Sequence, residues 1–164
     1  MTASTDKNFV KVLKTLTEIG FLLVSGSELP DVRGLIANRR SKGSWWADSA
    51  AHEIFAVNEM LEDHPDVTIT KLISGKVTFV HRKLWRELFA VGSAREEWEL
   101  RGLSVQAQLL LRELDKVGSL FTHRLPKSSG PKPGETAREL ELSLLIHSEQ
   151  IHTESGSHAK LVET

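Results

Sequence analysis

One block of this sequence occurs twice, and the repetition limits the folds open to the chain. Ala51-His52-Glu53-Ile54 opens an apolar-periodic stretch. It leads into an alternating run, a Ser74-Gly75 turn and a second alternating run, Val77-Thr78-Phe79-Val80-His81. Ala137-Arg138-Glu139-Leu140 opens another. That copy passes through Gln150-Ile151-His152-Thr153 to Ser155-Gly156, then Ala159-Lys160-Leu161-Val162. Helical spacing followed by period-two alternation about a glycine turn predicts a helix and then a β-hairpin. The first copy is the longer one, and Glu62-Asp63-His64-Pro65-Asp66 accounts for the difference. A helix and hairpin preceded by further helices is the plan of a winged helix. Two copies therefore predict an α+β chain, a tandem winged-helix protein.

The remaining elements fill in that plan. A first helix is expected from Asp6 to Glu18, with Phe9, Val12, Leu13, Leu16 and Ile19 on its apolar face and Gly20 as its stop. Phe21 to Val24 reads as a short strand. Pro30 suits the first turn of a short helix running from Asp31 to Asn38. Asp48 is placed to cap the next helix, with Ile54, Val57 and Leu61 inward. Residues 67–81 form the hairpin, and Lys83 to Val91 a helix with Leu84, Leu88 and Val91 on one face. Ser104 caps a helix reaching Val117, with Val105, Leu109, Leu110, Leu114 and Val117 at core spacing. The run 126–134, PKSSGPKPG, reads as a flexible loop. The expected division is a first domain over 1–92, a charged connector over 93–103 containing Trp98, and a second domain over 104–164.

Composition excludes several classes of protein. Hydrophobic residues make up 40% of the 164, enough for packed cores, though each half can build only a modest one. With no cysteine there is no disulfide framework, thiolate zinc site or cysteine nucleophile. A net charge of −1 disfavours a purely electrostatic nucleic-acid binder, so any such contact needs a local patch. No apolar run approaches membrane-spanning length, and Met1 to Asn8 lacks the apolar segment of a signal peptide. A cytoplasmic protein without membrane contact is expected.

Several segments resemble a known group. Arg138 to His147, followed by Gln150 to His158, looks like the C-terminal winged-helix region of a set of uncharacterised bacterial winged-helix proteins. Those are related to the winged-helix alkylpurine DNA glycosylases. Gly43-Ser44-Trp45-Trp46 and Lys71 to Trp85 look like segments of the same group. The likeness covers roughly residues 30–85 and 104–164 and rests on structural motifs. It implies tandem winged helices of DNA-associated ancestry. The glycosylases position a water with a glutamine-x-glutamine motif. Gln106-Ala107-Gln108 has that form, but it falls in the first turn of an amphipathic helix and reads there as a solvated turn.

The candidate nucleic-acid contacts lie in the first copy. Arg39, Arg40 and Lys42 precede the adjacent Trp45 and Trp46, and Gly43 lets the backbone approach a partner. The hairpin and its exit add Lys71, Lys76, Arg82, Lys83 and Arg86. Phosphate contacts from such residues give affinity without sequence information, although a solvated surface has the same composition. On an extended segment Trp45 and Trp46 point opposite ways, one inward and one free for a base or an interface. Trp85 reads as core. Lys7, Lys11 and Lys14 read as a solvated helix face.

Residues 48–63 contain no Lys or Arg but do contain Asp48, Glu53, Glu59, Glu62 and Asp63. That tells against base reading by the helix that should enter a groove. His147, His152 and His158 with Glu154 read as hairpin surface, and no metal or cofactor is expected. No phosphate loop, nucleophile elbow or HExxH helix is present, which leans against an enzyme. The expected function is a nucleic-acid-associated binding module of low sequence specificity, with DNA as partner, in DNA transactions or regulation. The alternative is a protein–protein interaction module built from winged helices that no longer bind DNA. A glycosylase-like enzyme is a third reading.

Overall fold

The computed structural model describes residues 3–26, 28–38, 44–121, 124, 132–152 and 158–164. The chain divides into two compact units, Met1–Glu87 and Leu88–Thr164. Each mixes helices with a small antiparallel sheet, so the class is α+β.

The first unit begins with α1 (Ala3–Ile19), longer at both ends than expected. Val12 and Leu16 of its apolar face are fully buried, while Ile19 lies at the rim, 40% exposed. Gly20 ends the helix at φ 102° and donates to the Leu16 carbonyl at 2.7 Å. A Cβ there would sit 2.6 Å from Leu84 Cδ1, so the turn requires glycine twice over. β1 (Phe21–Leu23) follows, then α2 (Val32–Ala37), whose first turn is capped by Asp31 accepting from the Gly34 amide at 2.8 Å. Pro30 stands before that cap and outside the helical turn.

A short 3-10 turn (Trp45–Ala47) leads to α3 (Ala51–Glu62), which buries Ile54, Val57 and Leu61 as its spacing predicts. β2 (Val67–Ile73) and β3 (Lys76–His81) then form the hairpin over 67–81. Ser74 and Gly75 both take positive φ, 50° and 71°, the geometry that suits a two-residue hairpin turn. The strand order is β1-β3-β2. Phe79 on the central strand is fully buried against Val12, Leu16, Ile54 and Leu61. The pairing shifts register between Thr70 and Ile73. Past that bulge the simple alternation fails, and the hairpin tip leaves the core.

The second unit takes its helices from α4 (Trp85–Ala94), which crosses the division, then α5 (Glu97–Arg101) and α6 (Val105–Val117). β4 (Ser119–Phe121), α7 (Pro133–Leu142), β5 (His147–His152) and β6 (His158–Glu163) complete it, with strand order β4-β6-β5. Leu110, Leu114, Ala137, Leu140 and Val162 form its core. The Ser155-Gly156 turn lies outside the described residues.

Three expectations change in this unit. The stretch 93–103 is not a bare connector: it holds α5 and places Glu99 and Leu103 in buried positions. The core stripe of α6 is Ala107, Leu110, Leu111 and Leu114, whereas Val105, Leu109 and Val117 are 67%, 40% and 50% exposed. α4 buries none of its residues, and Val91 is largely exposed. Ser104 does cap α6, accepting from the Ala107 amide at 3.2 Å while its own hydroxyl donates to Glu139 at 2.7 Å.

Candidate binding surface

The outer face of α3 is built from the sequence that surrounds it. Ile54, Val57 and Leu61 turn inward, so the helical period turns His52, Phe55, Glu59 and Glu62 outward. Asp48 does not cap this helix by its side chain from the cap position; that position is Ala50, which makes no side-chain cap bond. Asp48 is buried and accepts from Arg33 Nε at 3.0 Å, and it also receives the Ala50 amide at 3.2 Å. The side chains of this pair are 7% and 0% exposed, so two charges are held away from water. The pair fastens the 3-10 turn to α2.

That turn sets the tryptophans. They do not lie on an extended segment, so they do not diverge. Adjacent residues of a tight helical turn bring Trp45 and Trp46 into a stack, centroids 3.9 Å apart at 25°. Trp45 packs against the core of the first unit. Trp46 is 62% exposed and lies 5.7 Å from the Phe55 ring, itself 41% exposed. Three aromatic rings thus run from the core to the surface beside α3.

Among the described residues Asp48, Asp66, Glu97, Glu113, Asp115 and Glu135 each sit in an ion pair. No cation among the same described residues pairs with Glu59, Glu62 or Asp63. The Glu62 carboxyl is pushed above the ordinary carboxylate range, first by partial burial, then by the charges of Glu59 and Asp63.

Arg39, Arg40 and Lys42, with Gly43, lie outside the described residues. Lys83 donates to the Thr17 and Glu18 carbonyls, at 2.6 and 2.5 Å, and so closes the C-terminal end of α1. Arg82 pairs with Asp66 at 3.0 Å. Lys71 is half-buried on β2, and Lys76 is exposed at the hairpin tip. Arg86 is exposed on α4. Trp85 is half-buried, its indole N–H directed at the Val80 carbonyl at 3.4 Å. In the stripe on α1, Lys11 donates to the Leu35 carbonyl at 2.6 Å and to Asn38 at 3.1 Å, which fixes the end of α2.

The second unit offers less. A groove of about 330 Å³ beside α5 and α6 is lined by Arg95, Leu100, Arg101, Gln108, Leu111 and Asp115, among others. Arg95 is committed to Asp115 through two bonds of 2.7 and 2.6 Å, and Arg101 pairs with Glu97. Gln106 is exposed. The Gln108 amide donates to the Leu100 and Leu103 carbonyls, both at 3.3 Å, a structural tie between α5 and α6. His147 is exposed, and the side chains of His152, Glu154 and His158 lie outside the described set. Among the described residues no acidic or histidine cluster could hold a metal, and no helix is long and apolar enough to cross a membrane.

Sequence reasoning missed Phe55 as a surface residue, because a phenylalanine in an amphipathic helix is ordinarily counted as core. Its position three residues after His52 and four before Glu59 carried the signal. No protein-family model, curated protein or solved structure matches this chain.

Proposed function

We propose that this chain is a cytoplasmic pair of winged-helix domains that serves as a protein-interaction module, with the α3 face of the first unit as its contact surface. The winged-helix reading is supported by the order helix, strand, two helices and hairpin in the first unit. It is supported also by the shared strand pattern of the two sheets, β1-β3-β2 and β4-β6-β5. The resemblance to the bacterial winged-helix group points the same way. In that plan α3 is the helix that would enter a DNA groove.

The observation that carries the functional choice is the chemistry of α3. Its outer face presents Glu59 and Glu62 without a Lys or Arg, next to an exposed aromatic stack. Phosphate would be repelled there, and base edges would find no suitable donor. Exposed Trp and Phe beside a polar rim are the composition of protein interfaces. Arg82 and Lys83, expected at DNA, are held by Asp66 and by the α1 carbonyls.

The test is titration of fluorescently labelled duplex and single-stranded oligonucleotides with the full chain at low salt. No saturable binding is expected, and none that depends on Arg39 and Arg40. Saturable binding would restore the nucleic-acid reading if Arg39→Ala with Arg40→Ala lowered its log–log salt slope by about 1.8 on duplex DNA.

A further inference from the structure

We infer that the segment held by the α3 face is cationic: a stretch of partner chain bearing Lys or Arg beside an apolar residue. One cation would lie over the Trp46 ring, and Glu59 and Glu62, further along the same helix face, would take further basic side chains of the segment. This rests on the protein-interaction reading and names the partner's chemistry.

The aromatic part of the surface is already ordered. Trp45 is fixed by the core on one side and stacks on Trp46 at 3.9 Å on the other. Phe55 closes against Trp46 from the helix. An outer ring held in this way loses little freedom on binding, which favours it as an anchor. Its open face carries the negative side of a ring quadrupole, and a guanidinium or ammonium is the natural group to cover it.

The charged part selects among partners. His52, Phe55, Glu59 and Glu62 follow each other along one strip of the helix. Among the described residues no cation pairs with the two carboxylates in the strip or with Asp63 beyond them. The Glu62 carboxyl is held protonated to higher pH than usual, first by partial burial and then by the charges of Glu59 and Asp63. An anionic partner would add repulsion to a strip that is already crowded. A wholly apolar partner would cover Glu59 and Glu62 and strip their water without replacing it. A second copy meeting this face symmetrically would set the same carboxylates against each other. A cation next to an apolar side chain satisfies both halves of the surface.

The experiment selects short random peptides displayed on phage against the full chain, then measures synthetic copies of the selected peptides by the change in tryptophan fluorescence. The expected pool is enriched in Lys and Arg adjacent to Leu, Ile or Phe. Affinity should fall on going from about 0.05 M to about 0.5 M salt. It should drop about tenfold or more in Trp46→Ala, and by a similar factor in Glu59→Lys with Glu62→Lys. Circular dichroism of both variants should match the parent, since all three positions are exposed. The neutral pair Glu59→Gln with Glu62→Gln gives a second variant with smaller steric change. A pool of acidic or uncharged peptides that still needs Trp46 would overturn the cationic partner and leave the interaction reading standing. Failure to enrich any peptide, or enrichment indifferent to every variant, would sink both.

Discussion

Glu62 shows how one side chain reports the state of a whole face. Burial and the neighbouring Glu59 and Asp63 all disfavour its ionised form, so folding raises its pKa. A raised pKa means the folded chain binds the proton more tightly than the unfolded chain. The stability this contributes is full below the ordinary carboxylate range. It declines as pH rises through the raised value and is absent at neutral pH. Glu62→Gln removes the charge and keeps the shape. Thermal melts should show the variant slightly more stable than the parent at neutral pH, within the roughly 0.5 kcal/mol usual for surface changes. The difference should vanish in acid, where the parent carboxyl is protonated. A variant less stable at neutral pH would mean that Glu62 has a favourable partner. Other residues were harder to foresee. Asp48 has the identity and place of a helix cap, and its partner Arg33 lies 15 positions earlier in the chain. Trp45 and Trp46 diverge on an extended strand and stack on a 3-10 turn, and nothing local in the sequence chooses between the two.

Elements were easier to read than their facing. The period of α6 was plain, with Ser104 and Gly118 marking its ends, but five apolar positions span more than one face. Ala107, fully buried, decides the orientation, and an alanine carries too little hydrophobic weight to be noticed. Elements also depend on ties between them that single-sequence reasoning does not see. The Arg33–Asp48 pair joins α2 to the turn that carries the tryptophans, with both side chains out of water. Removing one partner of such a pair takes its counter-charge from a charge that stays buried, which typically costs about 3–5 kcal/mol. Asp48→Ala should therefore lower the midpoint of urea unfolding sharply. Replacing both partners, as Arg33→Met with Asp48→Leu, should cost much less than the single change predicts. Trp46 should also become less ordered in Asp48→Ala, visible as a red shift in its emission. Equal losses from the single and double variants would show that the pair's interaction is not what holds the turn.

At the scale of the whole chain, the repeated block was the strongest signal, because a helix-to-hairpin change of period is independent of detail. The first hairpin and the helices ahead of it follow from it closely. The division at Glu87 did not, since α4 runs through it without a break in pattern. Each unit nevertheless builds its core from its own residues. Leu61 is fully buried among Val12, Leu16 and Phe79, and Leu114 among Leu110, Leu140 and Val162. Truncating a buried leucine loses transfer free energy and leaves a cavity, about 2–5 kcal/mol in all. If each core stabilises its own unit, Leu61→Ala should speed amide hydrogen exchange in β1, β3 and α1 far more than in α6 and β6. Leu114→Ala should do the reverse. Native-state hydrogen exchange read by mass spectrometry separates the two patterns, since local opening reports the stability of the unit that opens. Equal acceleration in both units from either substitution would show one cooperative body, and the α3 face would then have to be understood as a property of the whole chain.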